Sequence, residues 1–283
     1  MNLKKFAGIL SSLVLTGALF TGCGGDSGQD VSDTGKTVRL GMIAHLNASE
    51  QKLEEILKQV AQKADVKIPG YTVTYFKNLS SMQMGLESGS IDQMSTYQSV
   101  ADYLTARKPE YVPASNFVMK LSDSFCFAVK KDDEELRKSI DNVIDEMKKD
   151  GTLDQLVKEY ITDLKKDSEP PAVSIQKFDG AETIKIAVTG DLPPLDLVLP
   201  DGKPAGFNTA LLAEIGKRLQ RNIEIVHVDS DSRAASLASG AADVVFWAIL
   251  PIDERPADMD TPEGISLTEP YFSDKIVHLS LKK

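Results

Sequence analysis

Two short segments of one pattern constrain the architecture of this chain more than any other feature. Leu86-Glu87-Ser88-Gly89-Ser90-Ile91-Asp92 and Leu237-Ala238-Ser239-Gly240-Ala241-Ala242-Asp243 share Leu-x-Ser-Gly-x-x-Asp. A glycine so placed ends a helix in the left-handed region before the next strand begins. Each copy closes a similar series. Strand-like Val38 to Ile43 precedes a helical stretch from Ser49 to Ala64 and strand-like Tyr71 to Phe76. Likewise, strand-like Ile184 to Val188 precedes helical Thr209 to Leu219 and strand-like Ile223 to Val228. This alternation predicts two α/β units with mainly parallel sheets. Ligands of such sheets bind beyond the carboxyl ends of the strands, so two facing units predict a cleft that clamps a small molecule.

Between the units, Leu136, Ile140, Val143, Ile144 and Met147 recur at helical spacing, Gly151 breaks the run, and Leu153, Leu156, Val157 and Tyr160 continue in a second helix. Leu164 to Glu182, with Lys165, Lys166, Asp167, Glu169, Pro170 and Pro171, reads as a polar linker. Composition narrows the function. With 42 acidic against 32 basic side chains and a formal charge of -10, the surface is not built to neutralise phosphates, so nucleic acid is not an expected partner. Two cysteines, and the widely separated His45, His227 and His278, supply no zinc motif. The acidic run Asp253, Glu254, Asp258, Asp260 and Glu263 fits no calcium-loop spacing. No metal and no cofactor is expected.

The start of the chain reads as an export leader: Lys4 and Lys5, then an apolar run from Phe6 to Phe20, then Thr21-Gly22-Cys23. The run is too short for a transmembrane span. Leu19 to Cys23 resembles a bacterial lipobox, which implies a signal peptide over 1–22 and lipidation of Cys23. Residues 23–36, rich in Gly, Ser and Asp, read as a flexible tether to a membrane anchor. Cys126 then lacks an intramolecular partner, and its place in the alternating run Phe125 to Val129 suits a buried, inert thiol.

The segment from Asp201-Gly202-Lys203-Pro204-Ala205-Gly206-Phe207-Asn208 to Leu211-Leu212-Ala213-Glu214-Ile215 resembles the early signature of the family 3 solute-binding proteins, the amino-acid receptors of ABC importers. Asp253-Glu254-Arg255 and Leu267-Thr268-Glu269-Pro270-Tyr271-Phe272 resemble two later elements of that family. Phe127 to Lys131 and Lys149 to Leu153 resemble its closing region. The order differs: motifs that usually open the family's chain occur from Ile184 onward, and those that usually close it occur before Thr162. The resemblance therefore implies an α/β, two-lobed periplasmic-binding-protein-like fold of type II, circularly permuted, with linker 164–182 joining the usual end to the usual beginning. It places a small lobe at 37–116 and a large lobe at 117–283. Only one of the usual two hinge crossovers is expected to remain, near Val118 to Phe125, with Val277 to Lys283 lying beside it.

By the same resemblance, Arg255 grips a ligand carboxylate, a task that suits the planar donors of a guanidinium. The alternative for Arg255 is a surface ion pair with Glu254 or Asp258. Asn47 and Ser49 join a strand to a helix, where free N–H groups receive an anion; helix capping explains them equally well. The family's aromatic pair is replaced by Leu192-Pro193-Pro194-Leu195, its hydroxyl residue by Leu250 in Ala248-Ile249-Leu250, and a further aromatic by Ser230. Its small-lobe aspartate, which meets the ligand's ammonium, aligns with Tyr97, beside Thr96. A buried ammonium needs a compensating charge. Asp191 or Glu269 is the candidate substitute, unless the ligand carries no amine, and Tyr97 and Trp247 are candidate aromatic surface.

The expected function is that of an extracytoplasmic, membrane-anchored receptor, monomeric and not an enzyme, that delivers an amino acid or related small carboxylate to an ABC permease. A ligand sensor without a transport partner, or a lyase using His45 as its acid or base, are the alternatives.

Overall fold

The computed structural model describes residues 37–43, 51, 55, 71–115, 122–165, 168–251 and 263–282, the last five positions of 168–251 as backbone. The leader, Cys23, the tether and most of the expected helix from Ser49 to Ala64 lie outside the described residues.

The first lobe opens with β1 (Val38–Ile43), parallel to β2 (Tyr71–Phe76) and to β3 (Gln93–Tyr97). Helices α1 (Leu79–Glu87) and α2 (Gln98–Arg107) and the short strand β4 (Tyr111–Pro113) complete it. The chain then enters β5 (Ser122–Lys130), α3 (Glu134–Asp150) and α4 (Thr152–Val157), which runs on into a π-helical turn at Lys158–Thr162. On α3 the expected stripe is the buried one: Leu136, Ile140, Val143, Ile144 and Met147 all face the core.

The second lobe contains β6 (Thr183–Val188), a small hairpin sheet of β7 (Asp191–Leu192), β8 (Asp196–Val198) and β9 (Pro204–Ala205), and then α5 (Phe207–Leu219). Strand β10 (Asn222–His227), helix α6 (Arg233–Ser239), β11 (Val244–Pro251) and β12 (Ile265–Leu267) follow, and β13 (Phe272–Leu281) ends the fold. One lobe has the sheet order β2-β1-β3-β13-β4 and the other β10-β6-β11-β5-β12. The two orders are equivalent position by position. Each lobe takes its fourth position, an antiparallel strand, from chain that has just left the other lobe.

The repeated segment explains part of this symmetry. Gly89 and Gly240 adopt φ of 73° and 75°, the left-handed region that ends α1 and α6. Three residues later, Asp92 Oδ2 accepts from Arg39 N at 3.0 Å and Asp243 Oδ2 accepts from Lys185 N at 2.9 Å. The aspartate N–H groups donate back to the same residues' carbonyls, each at 2.8 Å. Each copy thus pins the first strand of its own lobe.

At the hinge, Phe272 to Lys275 of β13 pair antiparallel with Phe125 to Ser122 of β5. The next residues of β13, Ile276 to Leu279, pair with β3, and Leu279 to Leu281 with β4. The expectation of a single surviving crossover is therefore corrected: two strands cross side by side, because the ten residues of β13 reach from one sheet well into the other. It is Phe272 to Lys275, rather than Val277 to Lys283, that lie against the first crossover.

Candidate site in the interlobe cleft

A cavity of about 40 Å³ lies where the two sheets meet. The first lobe lines it with Met42 and Ile43 at the carboxyl end of β1 and with Ser95, Thr96 and Tyr97 at the end of β3. The hinge contributes Asp123 from β5 and Ile276 from β13, and the second lobe contributes Leu192 from β7. Thr96, Tyr97 and Leu192 are thus brought together where parallel sheets present their ligand sites.

The polar centre pairs Tyr97, which the sequence singled out, with Asp123, which it did not. Tyr97, buried at the start of α2, donates its hydroxyl to Asp123 Oδ2 at 3.4 Å. Its ring meets Phe125 edge-on, with centroids 4.8 Å apart, and Phe125 stacks on Phe272 at 5.5 Å. Asp123 is 7% exposed. Burial disfavours its charged form and pushes the carboxyl up to about 7, against the smaller opposing effect of the Tyr97 hydroxyl. Burial also holds the Tyr97 phenol far above its usual range, and the nearby negative charges of Asp123 and Asp274 add to this.

Asp274, directly across from Asp123 on β13, accepts from Ser99 N at 3.0 Å and so caps α2, whose own N-cap residue Tyr97 makes no capping bond. Its carboxyl is raised by burial, with the Ser99 bonds opposing. Arg233, 1% exposed at the start of α6, donates to Ser230 O at 2.9 Å and Phe246 O at 3.3 Å. Burial brings its guanidinium down to about 10, while Tyr97 and Asp196 favour the charged form. Asp196, buried in β8, accepts from Gly190 N at 2.9 Å.

Several bonds join the lobes around the cavity. Asp191 Oδ2 accepts from Ser80 N at 3.0 Å and from Ser80 Oγ at 3.2 Å, placing a carboxylate at the positive end of α1. Its Oδ1 is buried without a hydrogen-bond partner. Ser230 donates its N–H to Lys77 O at 2.9 Å and its hydroxyl to Phe76 O at 3.2 Å. Lys77 also approaches Asp231 at 3.5 Å and Asp229 at 3.8 Å, exposed pairs worth at most about 1 kcal/mol.

Linker 164–182 forms a further bridge. Val173 N donates to Pro204 O at 2.9 Å on the second lobe. Arg107 of α2 donates to Ser168 O at 2.6 Å, and Tyr103 of α2 donates to Glu169 Oε2 at 2.5 Å.

The other expected residues divide between outlying and undescribed positions. Glu269 is exposed, and its N–H donates to Asp141 Oδ1 on α3, so it is not at the cavity. His278 is buried beside Gln93 at 3.2 Å, and burial drives its imidazole down to about 4, leaving it neutral and structural. Trp247, Ala248 and Leu250 sit on β11, where Ala248 pairs with Cys126 and Leu250 with Ser124, one strand from Asp123. Their side chains lie outside the description, as do Asn47, Ser49, His45 and Arg255. Cys126 is fully buried, and no cluster of potential metal ligands occurs among the described residues.

A charge two residues before Phe125, in phase with Phe125, Phe127 and Val129, was the available signal for Asp123. For Arg233 it was the one charged residue of a helix that is otherwise small and apolar. Among the described residues, no helix is long and apolar enough to cross a membrane.

A probable histidine-binding protein of Campylobacter jejuni is 33% identical over 102 residues, which are 35% of this chain and 36% of that protein. The chain thus spans about a third of that relative's length. Among solved structures, the ligand-binding core of GluR0 in complex with L-glutamate is 7% identical with a TM-score of 0.40, covering 88% of this chain and 86% of that one. The VFT2 domain of Bordetella pertussis BvgS is 11% identical with a TM-score of 0.39, covering 89% and 83%. The model of the bacterial extracellular solute-binding proteins, family 3, matches residues 53–163 and 184–282. Two lobes of equivalent strand order, a cleft at their strand ends and this match over most of the length together assign the chain to the family 3 extracellular solute-binding proteins.

Proposed function

We propose that this protein is an extracytoplasmic lipoprotein, anchored through Cys23, that closes a small lobe (37–116, completed by Ile276 to Leu281 of β13) and a large lobe (117–275) on an amino acid or related small carboxylate and passes it to an ABC permease. The observation that carries the reading is the cavity at the ends of β1 and β3, lined from both lobes and from both crossover strands with one carboxylate, Asp123, among its described residues. Asp191, Ser230 and Lys77 join the lobes around it, as a receptor that encloses its solute requires. The name of the Campylobacter jejuni relative favours an amino acid. In this reading Arg255 grips the carboxylate, and the end of β11 with Trp247, Ala248 and Leu250 forms one wall. Thr96, Tyr97 and Leu192 form the other, and Asn47 and Ser49 are assigned to the same site.

The order of the chain supports a circular permutation. The family match breaks between 163 and 184, where the linker lies, and the strand order of each lobe is complete although the chain begins in one lobe and ends there.

A thermal-shift screen of the purified mature protein against amino acids and small carboxylates tests the function, since a ligand that binds only the folded form raises the melting temperature. A millimolar amino acid is expected to raise Tm by several degrees, and Arg255→Ala to abolish the shift. A shift that survives in Arg255→Ala removes that residue from the site; no shift with any solute overturns the reading.

A further inference from the structure

We propose that Asp123 is the acceptor for a cationic amino group of the bound solute, so that the cleft selects amine-bearing carboxylates over their amine-free analogues. The inference rests on the solute-binding reading above and deepens it by naming the ligand's second charged group.

Three observations carry it. Asp123 is the one carboxylate lining the cavity among the described residues, and it reaches that position from a crossover strand that both lobes share. Ser95, Thr96 and Tyr97 line the same space, and the Tyr97 hydroxyl donates to Asp123 Oδ2. The cavity's 40 Å³ exceeds the roughly 10–15 Å³ that one water-sized group needs. That volume takes an ammonium group; the rest of an amino acid enters only as the lobes part.

The surrounding charges leave this carboxylate in want of a cation. Tyr97 faces it from β3, and Asp274 faces it from β13 with its Oδ2 tied to Ser99. Arg233 of α6 acts on Tyr97 and turns its donors to Ser230 O and Phe246 O, with Asp196 as its nearby counter-charge. Asp191 on β7 is held by Ser80. Among the described residues, no cationic side chain is paired with Asp123. A buried carboxylate in these surroundings is stabilised by an arriving ammonium, which removes the desolvation that holds its carboxyl near 7.

The test pairs each L-amino acid with its des-amino carboxylic acid in calorimetric titrations of the full mature chain and of Asp123→Asn. The expected result is that the amino acid which binds does so at least tenfold more tightly than its des-amino analogue, and that Asp123→Asn removes most of that preference. In the wild type, affinity for the amino acid falls about 30-fold between pH 8 and pH 5.5 as Asp123 protonates in the empty cleft. The pH series also decides the matter if Asp123→Asn does not fold. Equal or tighter binding of the des-amino acids, or a pH-independent affinity, overturns this inference and leaves the solute-binding reading intact. Binding of neither series to the wild type overturns both.

Discussion

At the scale of the residue, the cleft is governed by carboxylates held away from water. Asp123 has a folded pKa raised from 3.8 to about 7, so between these values the folded protein binds a proton that the unfolded chain releases. The sign follows from linkage: this contribution is fully present below about pH 4 and is lost as pH rises to about 7, on the order of a few kcal/mol at most. Asp274 and Asp191, both raised by burial, act in the same direction. The empty protein carrying Asp123→Asn is therefore expected to melt several degrees above the wild type at pH 8 and at the same temperature near pH 4, as differential scanning calorimetry would register. A variant that melts lower at pH 8 would mean that the ionised carboxylate stabilises the empty cleft.

The resemblance placed the family's aspartate at Tyr97, and the sequence did not point to Asp123 as the carboxylate proposed to take its part. Asp123 lies one hydrogen bond from Tyr97 across the sheet, and pairing between β3, β13 and β5 is a long-range fact that local pattern does not encode.

At the scale of the element, legibility followed periodicity. The α3 stripe and the strands β1, β2, β6 and β10 were readable because one face is apolar at a regular spacing and the ends are marked by turn residues. The reach of β13 was not, since nothing local in Phe272 to Leu281 says that its first four residues pair in one sheet and the rest in another.

Linker 164–182, readable only as polar, turns out to hold α2 through Tyr103 and Arg107 while fastened to β9 at Val173. It thus acts as a strap between lobes. One such hydrogen bond contributes about 1 kcal/mol, and the exposed Arg107–Glu169 pair adds less. Combining Tyr103→Phe with Glu169→Ala is expected to weaken the closed state by about that much and raise the ligand's Kd roughly fivefold, with a larger radius of gyration by X-ray scattering. Unchanged affinity and radius would mean that the strap rides on one lobe without restraining the other. In the core, Ile144→Ala on α3 removes a fully buried side chain and is expected to cost about 2–5 kcal/mol in denaturant unfolding, whereas a cost under 1 kcal/mol would place that helix outside the stabilising core.

At the scale of the whole molecule, two lobes of equivalent strand order exchange one strand each at an antiparallel hinge. The shared Leu-x-Ser-Gly-x-x-Asp segments made this duplication visible, because each aspartate must anchor its own lobe's first strand. The architecture is compatible with the circular permutation proposed above. The residues around the cavity come from strand ends whose positions depend on sheet order, and sheet order survives when the chain is cut between β13 and β1 and rejoined through the linker. The central claim is that this cleft encloses a zwitterionic solute between a guanidinium and a hinge carboxylate. A crystal structure grown with the tightest-binding amino acid tests it most directly. The account predicts the solute's ammonium within hydrogen-bond distance of Asp123 and its carboxylate on Arg255. A solute bound elsewhere, or Arg255 turned into bulk solvent, would contradict it.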